Sequence, residues 1–472
     1  MFRKTKIVCT IGPAVDSYDA IRSLVKAGMN IARLNCSHGD WKTREKWIHW
    51  IREASQVERT HVGILVDLGG PKFRLGDIKG SLEVASGDLI LVGTGSGQLP
   101  ITQREMLEHL TPGRVVLIGD GDIAFKVKSA SKGKIELRCT SGGTIGSRQG
   151  VTLVGATFNV PTLGKIDIDD LKTAARLGVE FVALSYVKSA NDLIQAGRIS
   201  EKLDPTLQLI AKIETKAAVG DIAEIIKHCD GIMVARGDLG LQMPIEEVPL
   251  IQKKIVGLCH AAGKPVITAT QMMESMIQNP RPTRAEVTDV ANAIMDGTDA
   301  VMLSGETAAG AYPIHVVQYM HRIAVKTESS SAFARAIAAA KLSKVTQATE
   351  SVAFAACRIA EDLRAKAIIS FSTSGFTARM VAKFRPSVPI LCASYRVRTA
   401  CQVSLLWGVR PLLTAEFYDT EEMIARGFAA AIQSGVLKQG DLVVITAGIP
   451  VGRPGTTNMV TLMHVTDPKD KK

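Results

Sequence analysis

Short apolar runs along much of the chain alternate with longer amphipathic stretches whose apolar residues recur every three or four positions. The runs Lys6–Ile11, Asn30–Ser37, Val62–Leu68, Phe181–Tyr186, Gln208–Glu214, Gly231–Gly237, Pro265–Thr270 and Ala300–Gly305 read as strands. Helical spacing fills the intervals at Ser17–Gly28, Asp40–Ser55, Asp169–Gly178, Ser189–Leu203, Lys216–His228, Ile245–Gly263, Thr283–Asp296 and Pro313–Glu328. Strands each followed by a helix, repeated in this order, close into a (β/α)8 TIM barrel.

The rhythm breaks between Gly70 and Val160, where glycine is frequent and no long helical period appears. Leu82–Val84, Leu89–Val92, Arg114–Ile118, Ile123–Lys128 and Lys134–Cys139 read there as short strands joined by turns such as Lys132–Gly133. This predicts a small β-barrel lid inserted after the third barrel strand. Beyond Ser329 an alanine-rich helical stretch leads into strands at Ala367–Ser372, Pro389–Ser394, Arg410–Thr414, Leu442–Ala447 and Met459–Val465, a doubly wound α/β domain. The expected division is a barrel from residues 1–69 and 161–336, a lid from 70–160 and a C-terminal domain from 337–472.

The chain has 472 residues, 46% hydrophobic and 22% charged, which suits about three globular domains and excludes bulk disorder. Its longest stretch free of Asp, Glu, Lys and Arg, Gln149–Gly164, contains three glycines and a proline and cannot cross a membrane. No apolar run of signal-peptide length follows Met1–Lys6, since Thr10, Gly12, Pro13 and Asp16 interrupt it, and the eight cysteines are scattered without a Cys-x-x-Cys pair. A reducing, cytoplasmic location is expected. The net charge of +11 calls for an anionic partner. Basic residues outnumber acidic ones 17 to 10 between 337 and 472, yet no basic block interleaves with aromatics, so nucleic acid and membrane give way to phosphorylated metabolites.

Barrel enzymes work at the C-terminal ends of their strands, and the unusual polar residues fall there. Strand two carries Arg33, Asn35 and Ser37 at period two; strand three ends in Asp67, strand four in Ser185. Strand five ends with Lys212 and Glu214 on one face, strand six runs into Arg236-Gly237-Asp238, strand seven reaches Thr270, and strand eight Ser304-Gly305-Glu306. A lone polar strand end is usually a cap or turn former; seven converging ends predict an active site. Glu214 and Asp238 suit a hard divalent cation, Mg²⁺ or Mn²⁺, although two salt bridges would also account for them. With Lys212 and Arg33 at the same mouth, two cations plus a metal overcompensate the two carboxylates unless an anion binds, which a phosphorylated carboxylic acid supplies. Gly237 and Gly240 allow close backbone approach, so N–H groups near Asp238 are candidates to receive the carboxylate.

KIVCTIGPA at 6–14, ARLNCSHG at 32–39, AKIE at 211–214, MVARGDLG at 233–240, TATQMMESM at 268–276 and PTRAEVTDVANAIMDGTDAVMLSGETAAGAYP at 282–313 resemble the pyruvate kinase family. The resemblance runs over essentially the whole length, weaker in the lid and moderate in the C-terminal domain. It implies transfer of the phosphoryl group of phosphoenolpyruvate to ADP, giving pyruvate and ATP, in a homotetramer. Glu214 and Asp238 then correspond to the divalent-ion ligands, Lys212 to the lysine that stabilises charge on the moving phosphoryl group, and Arg33 to the phosphate-holding arginine. Gly237, Asp238 and Thr270, with Ser185, match the substrate site; Arg74 and Asp120 match nucleotide and phosphate contacts; Ser304 and Glu306 match groups implicated in protonating the enolate.

The lid departs from the pattern: Ser147-Arg148-Gln149 stands where Lys-Lys-Gly is common, Gly119-Asp120-Gly121 where Asp-Asp-Gly is usual, and Ser185-Tyr186 where Ser-Phe is usual. Asn35, Ser37, Asp67 and the Leu68 carbonyl match the family's potassium ligands. Where potassium-dependent relatives carry Glu, this chain has Lys72, so its ammonium is expected to replace K⁺ and leave the monovalent site weak or vestigial. Ser372-Thr373-Ser374-Gly375-Phe376-Thr377, after a strand and opening a helix, resembles the sugar-phosphate effector loop, with Arg453 as a second contact. The expected effector is a phosphorylated sugar or a nucleotide monophosphate. A barrel enzyme forming a metal-bound enolate without a nucleotide needs neither a lid nor Lys212, and a basic RNA-binding scaffold leaves the seven strand ends unexplained.

Overall fold

The computed structural model describes residues 2–131, 134–156, 158–340, 347–450 and 457–466. Eight parallel strands, Lys6–Thr10, Ile31–Asn35, Gly63–Asp67, Phe181–Leu184, Gln208–Ile213, Gly231–Ala235, Val266–Ala269 and Ala300–Leu303, close a barrel in sequence order. They are called barrel strands one to eight below. Alternation sends Val8, Ile31, Leu65, Phe181, Ile210, Met233, Ile267 and Met302 into the bore, while Ile7, Ile64, Val182, Ile213, Val234 and Val301 pack under the surrounding helices. The bore is a packed core, and polar residues are carried to the rim.

Helix starts follow their capping residues. Asp40 caps Trp41–Val57 through the Thr43 N–H, and Thr283 and Glu286 form a reciprocal capping box on Arg284–Met295. The stretch Lys216–His228, expected as one helix, is two, Lys216–Gly220 and Ile222–Lys227. The break is at Asp221, whose carboxylate accepts the Ala190 N–H (2.8 Å) instead of facing solvent. Ile245–Gly263 likewise opens with a separate tight turn, Ile245–Glu247, before the helix Val248–Ala262 begins with Pro249 in its first turn.

The lid contains a five-stranded antiparallel sheet and a two-stranded ribbon, Leu82–Val84 with Gly143–Ile145, sharing one core around Phe125, Leu137, Ile145 and Leu153. Its helix Arg104–His109 and its strands Gly143–Ile145 and Val151–Leu153 are additions to the sequence expectation. The turn Lys132–Gly133 lies outside the described residues. One buried carboxylate binds both stalks: Asp167 Oδ1 accepts the Gly70 N–H where the chain leaves the barrel, and Oδ2 the Gly164 N–H where it returns, each 2.9 Å.

In the C-terminal domain the strand order is Val409–Leu413, Ile390–Ser394, Ala367–Phe371, Leu442–Ala447, Met459–His464, with apolar cores on both faces. The last strand runs antiparallel, a departure from a uniformly parallel doubly wound sheet. This domain seals the barrel floor: Leu405 joins the bore cluster, Arg385 pairs with Asp299 (2.8 Å), and buried Lys6 donates to the Val409 carbonyl (2.5 Å). Among the described residues no helix is long and apolar enough to cross a membrane.

Candidate active site

Period-two alternation on barrel strands two and five delivers the charged rim. Arg33 and Asp67 pair at 2.7 Å, and Lys212 lies 3.1 Å from Asp67 and 2.8 Å from Glu214. Asp67, Lys212 and Glu214 are buried, so each charge depends on the others. Burial pushes the Asp67 carboxyl up, but Lys212 and Arg33 outweigh it and hold the group below the usual carboxylate range. Burial also opposes the Lys212 ammonium, yet Asp67 and Glu214 raise it above an ordinary lysine. Glu214 is shifted up by burial and, against the pull of Lys212, by the neighbouring Asp238 charge. A buried carboxylate whose proton affinity is raised by a second carboxylate beside it is suited to sharing a cation with that neighbour.

Tyr186, just past barrel strand four, touches both of these carboxylates. Its N–H donates to Glu214 Oε2 (2.7 Å), and its hydroxyl makes a long contact to Asp238 Oδ1 (3.5 Å). Burial, then the Asp238 and Glu214 charges, raise the phenol well above its ordinary range, so the hydroxyl keeps its proton. Lys72 meets the same Asp238 oxygen at 3.3 Å. Ser185 bridges Lys212 Nζ (2.6 Å) and the Leu68 carbonyl (2.7 Å).

On the far wall of the mouth, Thr270 and Gln271 follow barrel strand seven with φ of 68° and 51°, and Tyr186 has 54°; left-handed backbone at non-glycine residues stores about 1 kcal/mol or more each. Arg236 clasps this loop, donating to the Thr270 carbonyl (2.7 Å) while paired with Asp289 (2.8 Å). The Thr270 hydroxyl in turn accepts the Gly237 N–H (2.7 Å). Ser304 and Glu306 are joined differently: Glu306 is buried, with one oxygen on the Ser304 N–H (2.7 Å) and the other on the Met273 N–H (3.1 Å).

Three of the potassium-type donors, Asn35, Asp67 and the Leu68 carbonyl, have protein partners. Asp67 faces two cations, Leu68 accepts from Ser185, and Asn35 Oδ1 accepts the Ser37 N–H (3.0 Å). Lys72 pairs with Asp238, on the side of the divalent pair. Arg74 donates to the Arg148 carbonyl (3.1 Å). With Lys72 and Arg33 it adds to burial in lowering the pKa of His38, which marks a basic half of the mouth that the sequence signals left unassigned at His38. Asp120 sits at the lid tip, lining a cleft of about 1050 Å³ with Arg236, Gly237 and Gln271. The site therefore gathers Arg33, Asp67, Ser185, Lys212, Glu214, Asp238 and Lys72 closely, with Thr270 attached through Gly237.

The C-terminal loop is separate from this mouth. Gly375, φ 80°, caps Phe376–Lys383; Ser372 is nearly buried, Thr373 accepts from Thr399 at its carbonyl (2.7 Å), Ser374 is exposed and Thr377 meets the Thr457 hydroxyl (3.0 Å). Arg453 lies outside the described residues.

A family profile described as pyruvate kinase, barrel domain, matches residues 2–317, and one described as pyruvate kinase, alpha/beta domain, matches residues 350–463. The chain belongs to the pyruvate kinase family. The pyruvate kinase of Geobacillus stearothermophilus is 41% identical over 476 residues, covering 99% of this chain and 81% of the relative. Those of Sporosarcina psychrophila and Bacillus licheniformis are each 40% identical over 474 residues, covering 98% of this chain and 81% of the relative. The chain is thus an enzyme, a transferase of the pyruvate kinase type, built on a closed eight-stranded barrel.

Proposed function

We propose that the chain transfers the phosphoryl group of phosphoenolpyruvate to ADP, using Arg33 and Lys212 on the phosphate and the Gly237–Asp238 backbone with Thr270 on the carboxylate. The observation that carries this is Lys212, an enclosed ammonium held charged between Asp67 and Glu214 and bound to Ser185. A cation fixed in place before substrate arrives stabilises charge on equatorial phosphoryl oxygens without reorganisation. Ser185 orients it, and Arg33, braced by Asp67, supplies a second donor. Arg74 and Asp120 contact the nucleotide. Ser304 and Glu306 act in protonating the enolate, Glu306 by holding the Ser304 backbone.

Glu214 and Asp238 fit a hard divalent ion, Mg²⁺ or Mn²⁺, because two neighbouring carboxylates, both reached by Tyr186, offer hard oxygen donors and leave the remaining coordination to substrate oxygens. When bound, it supplies Lewis-acid neutralisation of phosphoryl and enolate charge. K⁺ is dispensable: Lys72 brings the positive charge, and Asn35, Asp67 and the Leu68 carbonyl are engaged within the chain.

The domains divide at 1–69 and 161–336, 70–160 and 337–472. Exposed Ile245, Leu250, Val397 and Tyr418 are consistent with a homotetramer, and eight free cysteines with a cytoplasmic setting. The Ser372–Thr377 loop takes a phosphorylated sugar or nucleotide monophosphate as activator. The decisive assay is pyruvate formation from phosphoenolpyruvate with and without ADP and Mg²⁺: turnover needs both, and ADP-independent turnover overturns the reading. For the effector, Ser372→Asp abolishes activation at unchanged maximal rate; activation that survives places the effector elsewhere.

A further inference from the structure

We propose that Tyr186 is a positioning residue for the divalent-ion site, orienting Asp238 through its hydroxyl while its own backbone is fixed by Glu214. The inference rests on the reading of Glu214 and Asp238 as the metal pair.

One residue contacts both carboxylates, and its two contacts have different origins. The N–H bond to Glu214 belongs to the backbone and survives any side chain. The contact to Asp238 Oδ1 depends on the phenol oxygen alone. The ring has little freedom to carry that oxygen away. Its φ of 54° sets the direction in which the side chain leaves the strand, and a Cβ on Gly70 would come within 3.2 Å of the ring, so the hinge glycine is packed against it. Beyond it, Phe73, Leu153 and Phe158 of the lid line a small cavity of about 60 Å³ with Tyr186.

Asp238 also needs such a guide. It lies in the first turn of the short helix Arg236–Gln242, is part-exposed, and its ion-pair partner is Lys72, which comes from the lid hinge just after Pro71. Lys72 and the Tyr186 hydroxyl meet on one oxygen, Oδ1, leaving Oδ2 for a metal. The ammonium is a cation competing with the metal for Asp238; the phenol is a neutral donor that orients without competing. The two neighbours therefore act with opposite sign.

The test is Mn²⁺ binding to the full-length enzyme without substrate, read from the free-ion magnetic resonance signal, with thermal unfolding recorded alongside. Tyr186→Phe keeps the ring and the Glu214 bond and is expected to weaken Mn²⁺ binding about tenfold at an unchanged unfolding midpoint. Lys72→Met is expected to tighten it several-fold. Mn²⁺ affinity within twofold of wild type in Tyr186→Phe, or a shift of both variants in the same direction, overturns the positioning role. Asp238→Asn separates the two claims: it should abolish binding, and wild-type affinity there overturns the metal pair itself, and the proposal with it.

Discussion

Lys212 has its charge decided before any ligand arrives, because neutralising it would strand two buried carboxylates. Lys212→Met is expected to slow phosphoryl transfer by about 10³ or more, while proton exchange at C3 of supplied pyruvate is partly retained. Parallel measurement of both half-reactions checks this; equal loss in the two would assign Lys212 to general site integrity instead. Lys72 carries a second expectation at the same scale. Wild-type activity in tetramethylammonium buffer should remain substantial without KCl, and Lys72→Glu should make the rate respond to added K⁺. A wild-type rate that collapses without K⁺ contradicts the replacement. Arg33, Lys212 and Glu214 were legible in the sequence because period-two alternation puts them on one face. The pairing of Lys72 with Asp238 was not, since the two residues are far apart in the chain and only the folded hinge brings them together. Tyr186 read as a mild aromatic exchange, and its double contact depends on a positive φ that no composition rule shows.

The barrel strands were readable as elements because each is a short apolar run and all but the third lead directly into helical stretches. Three-residue lid strands such as Gly143–Ile145 and Val151–Leu153 are too short for alternation to register, and their pairing is fixed by partners distant in sequence. Asp167 was likewise invisible: within an amphipathic helix start it looks like an ordinary first-turn acid. It binds both stalks of the lid. Asp167→Ala removes two charge-assisted N–H bonds, one of them the acid's half of the cap on Lys165–Arg176, a cost of about 2–3 kcal/mol. The expected outcome is a several-fold higher KM for ADP with a smaller change for phosphoenolpyruvate. Steady-state kinetics in both substrates read it, and equal changes in the two would detach the stalks from nucleotide capture.

The whole molecule is joined at the barrel floor, where ionisable groups are enclosed against the C-terminal domain. Burial lowers Lys6 to about 7 and His260 to about 4. Unfolding returns them to roughly 10.4 and 6.5. Between pH 7 and about 10.5 the unfolded chain binds the Lys6 proton more strongly, so this residue makes stability rise with pH there; His260 does the same between 4 and about 6.5. Thermal midpoints are expected to climb from pH 7 to 9, and Lys6→Met should flatten that climb. An unaltered slope in the variant would show that Lys6 is not the group responsible.

The two bonds to Asp167 mean that the chain departs from the barrel and re-enters it at nearly one point. Strand three meanwhile pairs directly with strand four, Leu65 beside Phe181 and Asp67 beside Ala183, so barrel closure uses no lid residue. The lid also keeps its own apolar core. A module attached this way can change without disturbing its host: substitutions inside it are constrained by its own packing and by nucleotide contact, and are shielded from the demands of barrel assembly. The departures at Ser147-Arg148-Gln149 and Gly119-Asp120-Gly121 fall within that module, while Arg33, Asp67 and Lys212 stand on strands whose register closes the barrel, with Glu214 and Asp238 just beyond two of those strands. Innovation in this chain is therefore cheap in the lid and dear in the barrel.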